Sequence, residues 1–260
     1  MIATLLPAIG SGGIVGFALG LLGGGGSILA TPLLLYVVGV SEPHVAIGTG
    51  ALAVSANALI NFAGHAAKGH VRWWCGLVFA VLGVIGALGG SSLGKAVDGT
   101  RLLLLFGLIM LVVAALMARP KRVVTAAPRP MDLRMCMVTG AVALVTGAVS
   151  GFFGIGGGFL IVPGLMLATG MPMINAVGTS LLAVSAFGLA TAVNYAWSGL
   201  VDWTLAAEFI FGGLIGGLLG TLVSSRLAAH KNTLNRVFAA VVSVVAVYMI
   251  YRSLGAMWNA

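Results

Sequence analysis

Charged side chains are scarce in this sequence, and acidic ones are the scarcest. Among 260 residues there are 13 Lys and Arg and 5 Asp and Glu, so only 7% of the chain is charged. A soluble domain carries about a quarter charged residues, and this composition therefore excludes an ordinary soluble domain. Hydrophobic residues make up 60% of the chain, and apolar runs of about 20 residues, long enough to cross a bilayer as helices, recur along it. We therefore predict an all-α polytopic membrane protein.

Cysteine is also rare. Cys75 and Cys136 are the two cysteines, and they are far apart in the sequence. Without a CxxC spacing they predict no disulfide, metal site or nucleophile. The net charge of +8 comes from Lys and Arg scattered between the apolar runs, which is typical of membrane orientation signals. We predict no metal, no cofactor and no nucleic-acid partner.

One stretch of the sequence occurs twice. At a shift of 131 residues, Gly16, Gly20, Gly23, Gly25, Gly26 and Pro32 match Gly147, Gly151, Gly154, Gly156, Gly157 and Pro163. Further along, the shift becomes 130 and Gly48-Thr49 matches Gly178-Thr179. Two similar halves of about 130 residues are typical of transporters built from internal repeats. We predict repeat 1 at residues 1–118, a basic cytoplasmic linker at 119–134, and repeat 2 at 135–260.

Each half contains a glycine-rich break followed by a short apolar segment. The breaks are Gly23–Gly26 and Gly154–Gly158, and the segments are Ser27–Val38 and Phe159–Thr169. Twelve helical residues rise about 18 Å, which is less than the roughly 30 Å thickness of a hydrocarbon core. Each segment is therefore either re-entrant or half of a crossing that extended backbone completes.

The distribution of basic residues distinguishes these two topologies. If both short segments re-enter, the basic residues divide as 8 on the linker side and 5 on the other side. If both segments cross, the halves are inverted and the division is 10 on the linker side against 3. Lys and Arg accumulate on the cytoplasmic side of membrane proteins. We therefore predict inverted halves with the linker in the cytoplasm.

The glycine breaks form the first candidate binding site. Backbone that leaves the helix at membrane depth must be buried in protein or line a cavity. A short helix that begins after each break directs free N–H groups and its positive dipole end at the break, which favours an anion. The candidate substrate-binding residues are Gly24, Gly25, Gly26, Ser27, Gly156, Gly157 and Gly158. The alternative is that these glycines only allow close helix packing.

Polar residues inside the predicted spans form a second candidate set. They are Thr49, Asn57 and Asn61 in the first half, and Thr179, Ser180 and Asn194 in the second. Asn57 and Asn61 are four residues apart and share one helix face. Polar side chains in membrane helices usually face the bundle or an aqueous cavity, so substrate binding is one interpretation. Hydrogen bonding between helices is the other.

Three titratable residues are candidates for coupling or gating. Lys68 follows a predicted span and can meet an anion at the cytoplasmic mouth, although a lysine there also snorkels to lipid headgroups. His65 can relay a proton near neutral pH or serve as a buried structural histidine. Glu208 is the carboxylate placed well within a predicted span, which makes it the candidate for proton coupling.

Glycines spaced by four residues occur in both halves. The two ladders are Gly86, Gly90 and Gly94, and Gly212, Gly216 and Gly220. Such ladders let helices approach closely. They are interpreted as a packing signal, with a homodimer interface as one possible use.

The paired motifs GLLGGGGSILATPLL and GFFGIGGGFLIVPGL, followed by AIGTG and AVGTS, resemble those of the sulfite exporter TauE/SafE family. The resemblance extends from about Gly12 to Tyr251. It implies a permease of the prokaryotic inner membrane that moves small sulfur-containing anions such as sulfite, sulfoacetate or other organosulfonates, usually outward. It also implies that the repeat motifs surround the transport path. Ser27 and Gly158 occupy matching positions, so the two halves are expected to contribute unequally.

These observations together predict a secondary transporter that exports a small sulfur-containing anion by alternating access. The lipid bilayer is a further partner, and protons are the candidate coupling partner. A passive anion channel and a membrane assembly or sensor protein without transport are the alternatives. An intramembrane enzyme is not predicted, because no paired acid and base or nucleophile–histidine pair is evident within a span.

Overall fold

The computed structural model describes residues 2–118, 133–154, 158–226 and 231–258. The described residues are almost entirely helical and include no strand. Most of the predicted linker, residues 119–132, lies outside them. The helices are α1 Ile2–Leu22, α2 Ala30–Leu33, α3 Pro43–Ala67, α4 Trp73–Ala96, α5 Gly99–Ala118, α6 Leu133–Phe153, α7 Gly158–Thr169, α8 Met173–Ala196, α9 Trp203–Arg226 and α10 Lys231–Trp258. A 3-10 segment, Gly23–Leu29, precedes α2, and a π-helical segment, Leu34–Val38, follows it.

Within the described residues, five stretches are long and apolar enough to cross a membrane: Leu5–Val38, Pro43–Ala67, Trp73–Ala96, Ile174–Ala196 and Trp203–Val223. Shorter apolar helices occupy Gly99–Ala115, Met137–Phe153 and Ala239–Gly255. A helix of about 20 residues spans the hydrocarbon core. The chain is therefore a multi-pass helical membrane protein.

The first glycine break is tighter than the sequence predicts. Only Gly23 adopts a positive φ, of 71°, and the 3-10 segment begins at this residue rather than after Gly26. A single left-handed residue is enough to turn the chain, because glycine carries no side chain to clash in that conformation. The expectation of a four-residue irregular break is corrected to a one-residue turn followed at once by helix.

Glycine turns with positive φ also occur at the matching positions of the second half. The positive-φ residues of the described chain are glycines, and they pair at the shifts of the sequence repeat: Gly23 with Gly154, Gly39 with Gly170 and Gly69 with Gly199. Glycine at these turns is a conformational requirement. Both halves therefore bend at the same places.

Glycine contacts between neighbouring helices give the relative direction of those helices. On α1 and α9 the contacts advance together, from Gly12 with Phe209 through Gly16 with Gly213 to Gly20 with Gly217. On α4 and α6 they also advance together, from Gly83 with Gly147 through Ala87 with Gly151 to Gly94 with Phe152. On α3 and α8 they run in opposite order, from Gly48 with Tyr195 through Ala51 with Gly188 to His65 with Gly178. The first two pairs are parallel and the third is antiparallel.

Two further contact series connect these pairs. Asn57 and Asn61 on α3 meet Gly213 and Gly217 on α9, and Gly76 and Gly83 on α4 meet Thr179 and Phe187 on α8. Helices α1, α3 and α9 therefore run in one direction, and α4, α6 and α8 run in the other. Helices α1, α3 and α4 are therefore each opposed in direction to their counterparts α6, α8 and α9, as an inverted repeat requires.

These directions determine the path of the short segments. Because α1 and α3 run the same way, the chain between them must return through the bundle, and Gly26 packs back against Ala18 and Leu19 of α1. Helix α7 makes the equivalent return between α6 and α8. Each half therefore makes five passes, which is the arrangement that the basic residues favour.

We call the side on which α3 ends and α4 begins the linker face and the other side the opposite face. Helix α4 starts on the linker face with Trp73 and Trp74, which are exposed. Helix α9 starts on the opposite face, where Trp197 and Trp203 are exposed. Tryptophan is enriched at both membrane–water interfaces, so these residues mark the two membrane boundaries.

The glycine ladders are used inside the chain. Gly86, Gly90 and Gly94 pack on the α6 backbone at Leu144, Ala148 and Phe152, and Gly212, Gly216 and Gly220 pack on α1 at Ile9, Gly13 and Phe17. The proposal of a dimer interface at these ladders is therefore wrong, because the glycine faces are already covered by helices of the same chain.

The α1–α9 contact predicts a pair of mutations with opposite outcomes. A Cβ on Gly16 would overlap the Gly213 backbone, whereas one on Gly13 would meet only the Gly212 carbonyl oxygen, at 3.6 Å. Gly16→Ala should destabilise the protein by about 1–3 kcal/mol through overpacking. Gly13→Ala should be neutral or slightly stabilising, because alanine favours the helix by up to about 1 kcal/mol.

Thermal unfolding of the purified protein in detergent measures both effects. Equal melting temperatures for the two variants would contradict the packing of α1 on α9.

Candidate functional site

The two short segments meet at their first residues, a place we call the junction. Gly24, in the 3-10 segment, packs directly against the Gly158 backbone at the start of α7, and the Val184 side chain of α8 lies beside them. All residues of Gly23–Leu29 are buried. The starts of two helical segments from the two halves therefore converge inside the bundle.

This convergence has an electrostatic consequence. The first N–H groups of a helical segment have no partner within it, and they carry its partial positive charge. Two such ends at one place favour a negative charge there. Gly24, Gly25 and Gly26 belong to the first segment and Gly158 to the second, whereas Gly156 and Gly157 lie outside the described residues.

The Ser27 hydroxyl is part of the segment itself. It is buried and donates a hydrogen bond to the Gly24 carbonyl oxygen at 2.8 Å. It does not cap the helix that follows, since its partner lies three residues earlier within the 3-10 turn. Its oxygen keeps acceptor capacity only, unless this bond rearranges. Ser27 as a substrate ligand stays a prediction.

Thr49 and Thr179 make the same contact in the two halves. The Thr49 hydroxyl oxygen accepts a hydrogen bond from the backbone N–H of Asp202 at 3.0 Å. The Thr179 hydroxyl oxygen accepts one from the backbone N–H of Arg72, also at 3.0 Å. Both threonines are fully buried. Thr49 therefore stabilises the turn that precedes α9, and Thr179 stabilises the turn that precedes α4. This role was not predicted from the sequence, although Asp202 and Arg72 are also related by the shift of the repeat.

Ser180 and Ser185 of α8 each take part in a hydrogen bond to a backbone carbonyl oxygen near the centre of the bundle. Ser180 donates to the Val177 carbonyl oxygen at 2.8 Å, one turn back in its own helix. The carbonyl oxygen of Ser185 accepts a hydrogen bond from the Ser55 hydroxyl at 2.8 Å, which joins α3 to α8. Ser55 and Ser185 are counterparts at a shift of 130, so the repeat axis passes close to this bond.

Asn57 and Asn61 face α9, where they pack against Gly213 and Gly217. Asn61 donates from Nδ2 to the Asn57 carbonyl oxygen at 2.9 Å. Asn57 is fully buried, and its side-chain amide has no hydrogen-bond partner among the described residues. An unpartnered buried amide costs about 1–3 kcal/mol. It is therefore available to a ligand or to a second conformation.

The two halves differ at these positions. The counterparts of Asn57 and Asn61 are Phe187 and Thr191, and Phe187 packs against Gly83 of α4 as Asn57 packs against Gly213 of α9. One half therefore presents amides where the other presents an aromatic ring and a hydroxyl. The interior is polar on one side of the repeat axis.

Asn194 lies apart from the junction, at the opposite face, and its amide is fully engaged. Lys95 Nζ donates to its Oδ1 at 2.8 Å and to its carbonyl oxygen at 3.0 Å. Asn194 Nδ2 donates to the hydroxyls of Ser91 at 2.6 Å and Ser92 at 3.0 Å. A lysine near the end of a helix binds the last free carbonyls and complements the helix dipole. Lys95 therefore joins α4 to the end of α8, and sequence reasoning had not selected it.

The three coupling candidates do not meet. His65 is buried near the linker face, 5.8 Å from the His70 ring, and Lys68 is exposed in the turn that follows α3. Glu208 is half-buried near the start of α9, at the opposite face. There it lines a cavity of about 540 Å³ together with Glu42 and Asp202. Glu208 is therefore closer to a membrane face than the sequence indicates.

The junction predicts which glycine of the first break is indispensable. A Cβ on Gly24 or on Gly158 would overlap the other's backbone, whereas a Cβ on Gly25 would meet only Leu22 Cβ, at 4.0 Å, among the described residues. Gly24→Ala and Gly158→Ala should each destabilise the protein by about 1–3 kcal/mol. Gly25→Ala is the matched control in the same segment.

Detergent thermal unfolding and the yield of monodisperse protein measure the difference. If Gly25→Ala were as harmful as Gly24→Ala, the contact between the two segments would not be the cause.

Comparison with known proteins places the chain among membrane transporters. The sequence profile of the sulfite exporter TauE/SafE family matches residues 8–249. A "Probable membrane transporter protein" of Xylella fastidiosa strain 9a5c is 62% identical over 253 residues, which is 97% of each chain. The "Probable membrane transporter protein YunE" of Bacillus subtilis strain 168 is 28% identical over 263 residues, covering 93% of this chain and 94% of YunE. No solved structure matches. The chain belongs to the sulfite exporter TauE/SafE family.

Proposed function

We propose that this membrane transporter moves a small sulfur-containing anion, such as sulfite, sulfoacetate or another organosulfonate, outward across the inner membrane of a prokaryote. Family membership supports transport rather than catalysis. The substrate class follows from the family's description as a sulfite exporter and from the electrostatics of the junction.

The observation that carries the proposal is the meeting of Gly24 and Gly158. Two helical segments begin there, one from each half, and their N-terminal ends favour an oxyanion with several acceptor atoms. Ser27 and Ser180 supply hydroxyls that donate to the anion once they release their present hydrogen bonds to the carbonyl oxygens of Gly24 and Val177. The free amide of Asn57 supplies a further neutral donor. A binding site made of neutral donors holds an anion without a buried lysine or arginine.

Alternating access fits the arrangement of helices. The α1–α9 and α4–α6 pairs are joined by backbone contacts at glycines, so each pair moves as a unit. The antiparallel α3 and α8 lie between them. A movement of one of these pairs relative to the α3–α8 core opens the junction to one face. The equivalent movement of the other pair opens it to the other face.

Protons are the proposed coupling ion. Glu208 lines a cavity at the opposite face and His65 lies near the linker face, so each side of the membrane has a titratable group near the path. Outward movement of an anion is also driven by a membrane potential that is negative inside, at about 2.3 kcal/mol per charge per 100 mV.

Flux measurements in proteoliposomes test the proposal. Purified protein should take up radiolabelled sulfite or sulfoacetate with saturation, and the uptake should rise when the same anion is present on the other side. Ser27→Ala should weaken apparent affinity by roughly tenfold, the value of one hydrogen bond to a charged group. Thr221→Ala removes a hydroxyl on α9 that donates to the Leu218 carbonyl oxygen of its own helix. It is the matched control and should transport normally.

Each outcome has a distinct meaning. Absence of saturable flux for sulfite, sulfoacetate, taurine and sulfate, with and without a pH gradient, would overturn the proposal. Flux without saturation or stimulation from the other side would identify a passive anion channel instead. Stimulation by a proton gradient that Glu208→Gln abolishes would support proton coupling.

A further inference from the structure

A second cavity at the opposite face plays no part in the proposed transport path. It has a volume of about 970 Å³ and lies between the π-helical segment Leu34–Val38, the first turn of α5 and the last turns of α10. The junction contributes none of its lining residues. It therefore requires a separate explanation.

Arg252 is the charged residue in the described lining of this cavity, and Thr100 and Tyr36 contribute hydroxyls. The neighbouring cavity, which shares Gly39, Val40 and Ser41 with it, is lined instead by acidic residues. The Asp98 carboxylate near α5 is already engaged, since it accepts hydrogen bonds from the backbone N–H groups of Thr100 at 3.0 Å and Arg101 at 3.2 Å. Arg252 therefore gives this cavity a positive side chain, whereas its neighbour is acidic.

Ser253 gives independent evidence for a ligand. It lines the cavity and is only 3% exposed, and its hydroxyl has no hydrogen-bond partner in the part of the chain that the structure describes. A buried hydroxyl without a partner is unfavourable. The Ser253 oxygen is itself buried, so the hydroxyl would turn toward a ligand oxygen bound beside Arg252 to gain the missing acceptor.

The shape and position of the cavity indicate the size of the ligand. Its volume is far larger than a small oxyanion requires, and Leu35, Leu103 and Leu254 give it apolar walls. Tyr251 at its rim is exposed, on the face where Trp197 and Trp203 mark the membrane boundary. Tyrosine and arginine at this level are typical partners of lipid headgroups.

We propose that this cavity binds a tetrahedral oxyanion through Arg252 and Ser253, and that the oxyanion is the phosphate of an anionic phospholipid whose glycerol and first acyl carbons occupy the apolar part. A free oxyanion shares the chemistry and is the other source. A planar guanidinium binds such an oxyanion with two hydrogen bonds. The bound headgroup contacts the Gly39–Ser41 loop, which joins the first short segment to α3.

Lipid binding to the full-length protein tests the site without any transport assay. Delipidated protein in detergent is titrated with phosphatidylglycerol, cardiolipin, phosphatidylcholine, inorganic phosphate or sulfite, and binding is followed by native mass spectrometry and thermal shift. Anionic lipid should bind and raise the melting temperature, and Arg252→Gln should weaken binding by about tenfold or more. Arg101→Gln removes an exposed charge from the same face outside the cavity and should leave binding unchanged.

Ser253→Ala separates the cavity from general surface charge. It keeps the net charge and should still weaken binding of anionic lipid, which attraction to a charged micelle surface would not explain. Equal binding by wild type, Arg252→Gln and Ser253→Ala would overturn the proposal. Binding of phosphate or sulfite alone, with the same sensitivity to both variants, would identify a free oxyanion as the ligand.

Discussion

Contact between glycine backbones is the constraint on which the rest of this structure depends. In a bilayer, lipid tails are as apolar as leucine, so helices associate through close packing and hydrogen bonds rather than through the hydrophobic effect. Helix α1 meets α9, and α4 meets α6, at glycines whose missing side chains let the two backbones touch. These contacts are made between the two halves, so neither half is a separate folding unit. The glycines at these contacts, among the 40 of the chain, therefore have a structural purpose.

The same contacts bring the two short segments together. Because the halves are inverted and interlocked, the first residues of both segments reach one place from opposite directions, and Gly24 and Gly158 meet there. In the function proposed above, binding by helix ends avoids the cost of a permanently buried cation, which is high in a membrane. The surrounding side chains are less symmetric than the backbone. Asn57 and Phe187 occupy matching positions of the two halves, so side chains differ where the backbone packing is the same.

Several residues could be interpreted only once their partners were known. Asn194 is a polar residue inside a predicted span, as a substrate ligand would be. However, Lys95, 99 positions away, donates a hydrogen bond to its side-chain oxygen. Thr49 and Thr179 occupy matching positions of the internal repeat, and each accepts a hydrogen bond from the turn that precedes a neighbouring helix. Glu208 lies inside a predicted span by count, yet it belongs to the first turns of α9, which begins at Trp203, and it lines a cavity there. The pattern of apolar and polar residues in the sequence gives the position of a residue on its own helix. It does not identify the side chain that this residue contacts on a neighbouring helix.

The sequence by itself determined that this is a helical membrane protein, that its halves repeat, and where each half must bend, because these depend on local composition and on glycine's unique access to positive φ. Tertiary structure alone decided that the short segments return through the bundle, that the glycine ladders are covered within the chain, and which polar side chains remain free. Those outcomes depend on pairing between residues more than a hundred positions apart. Sequence position does not encode such pairing directly, since it arises only when the two inverted halves pack against each other.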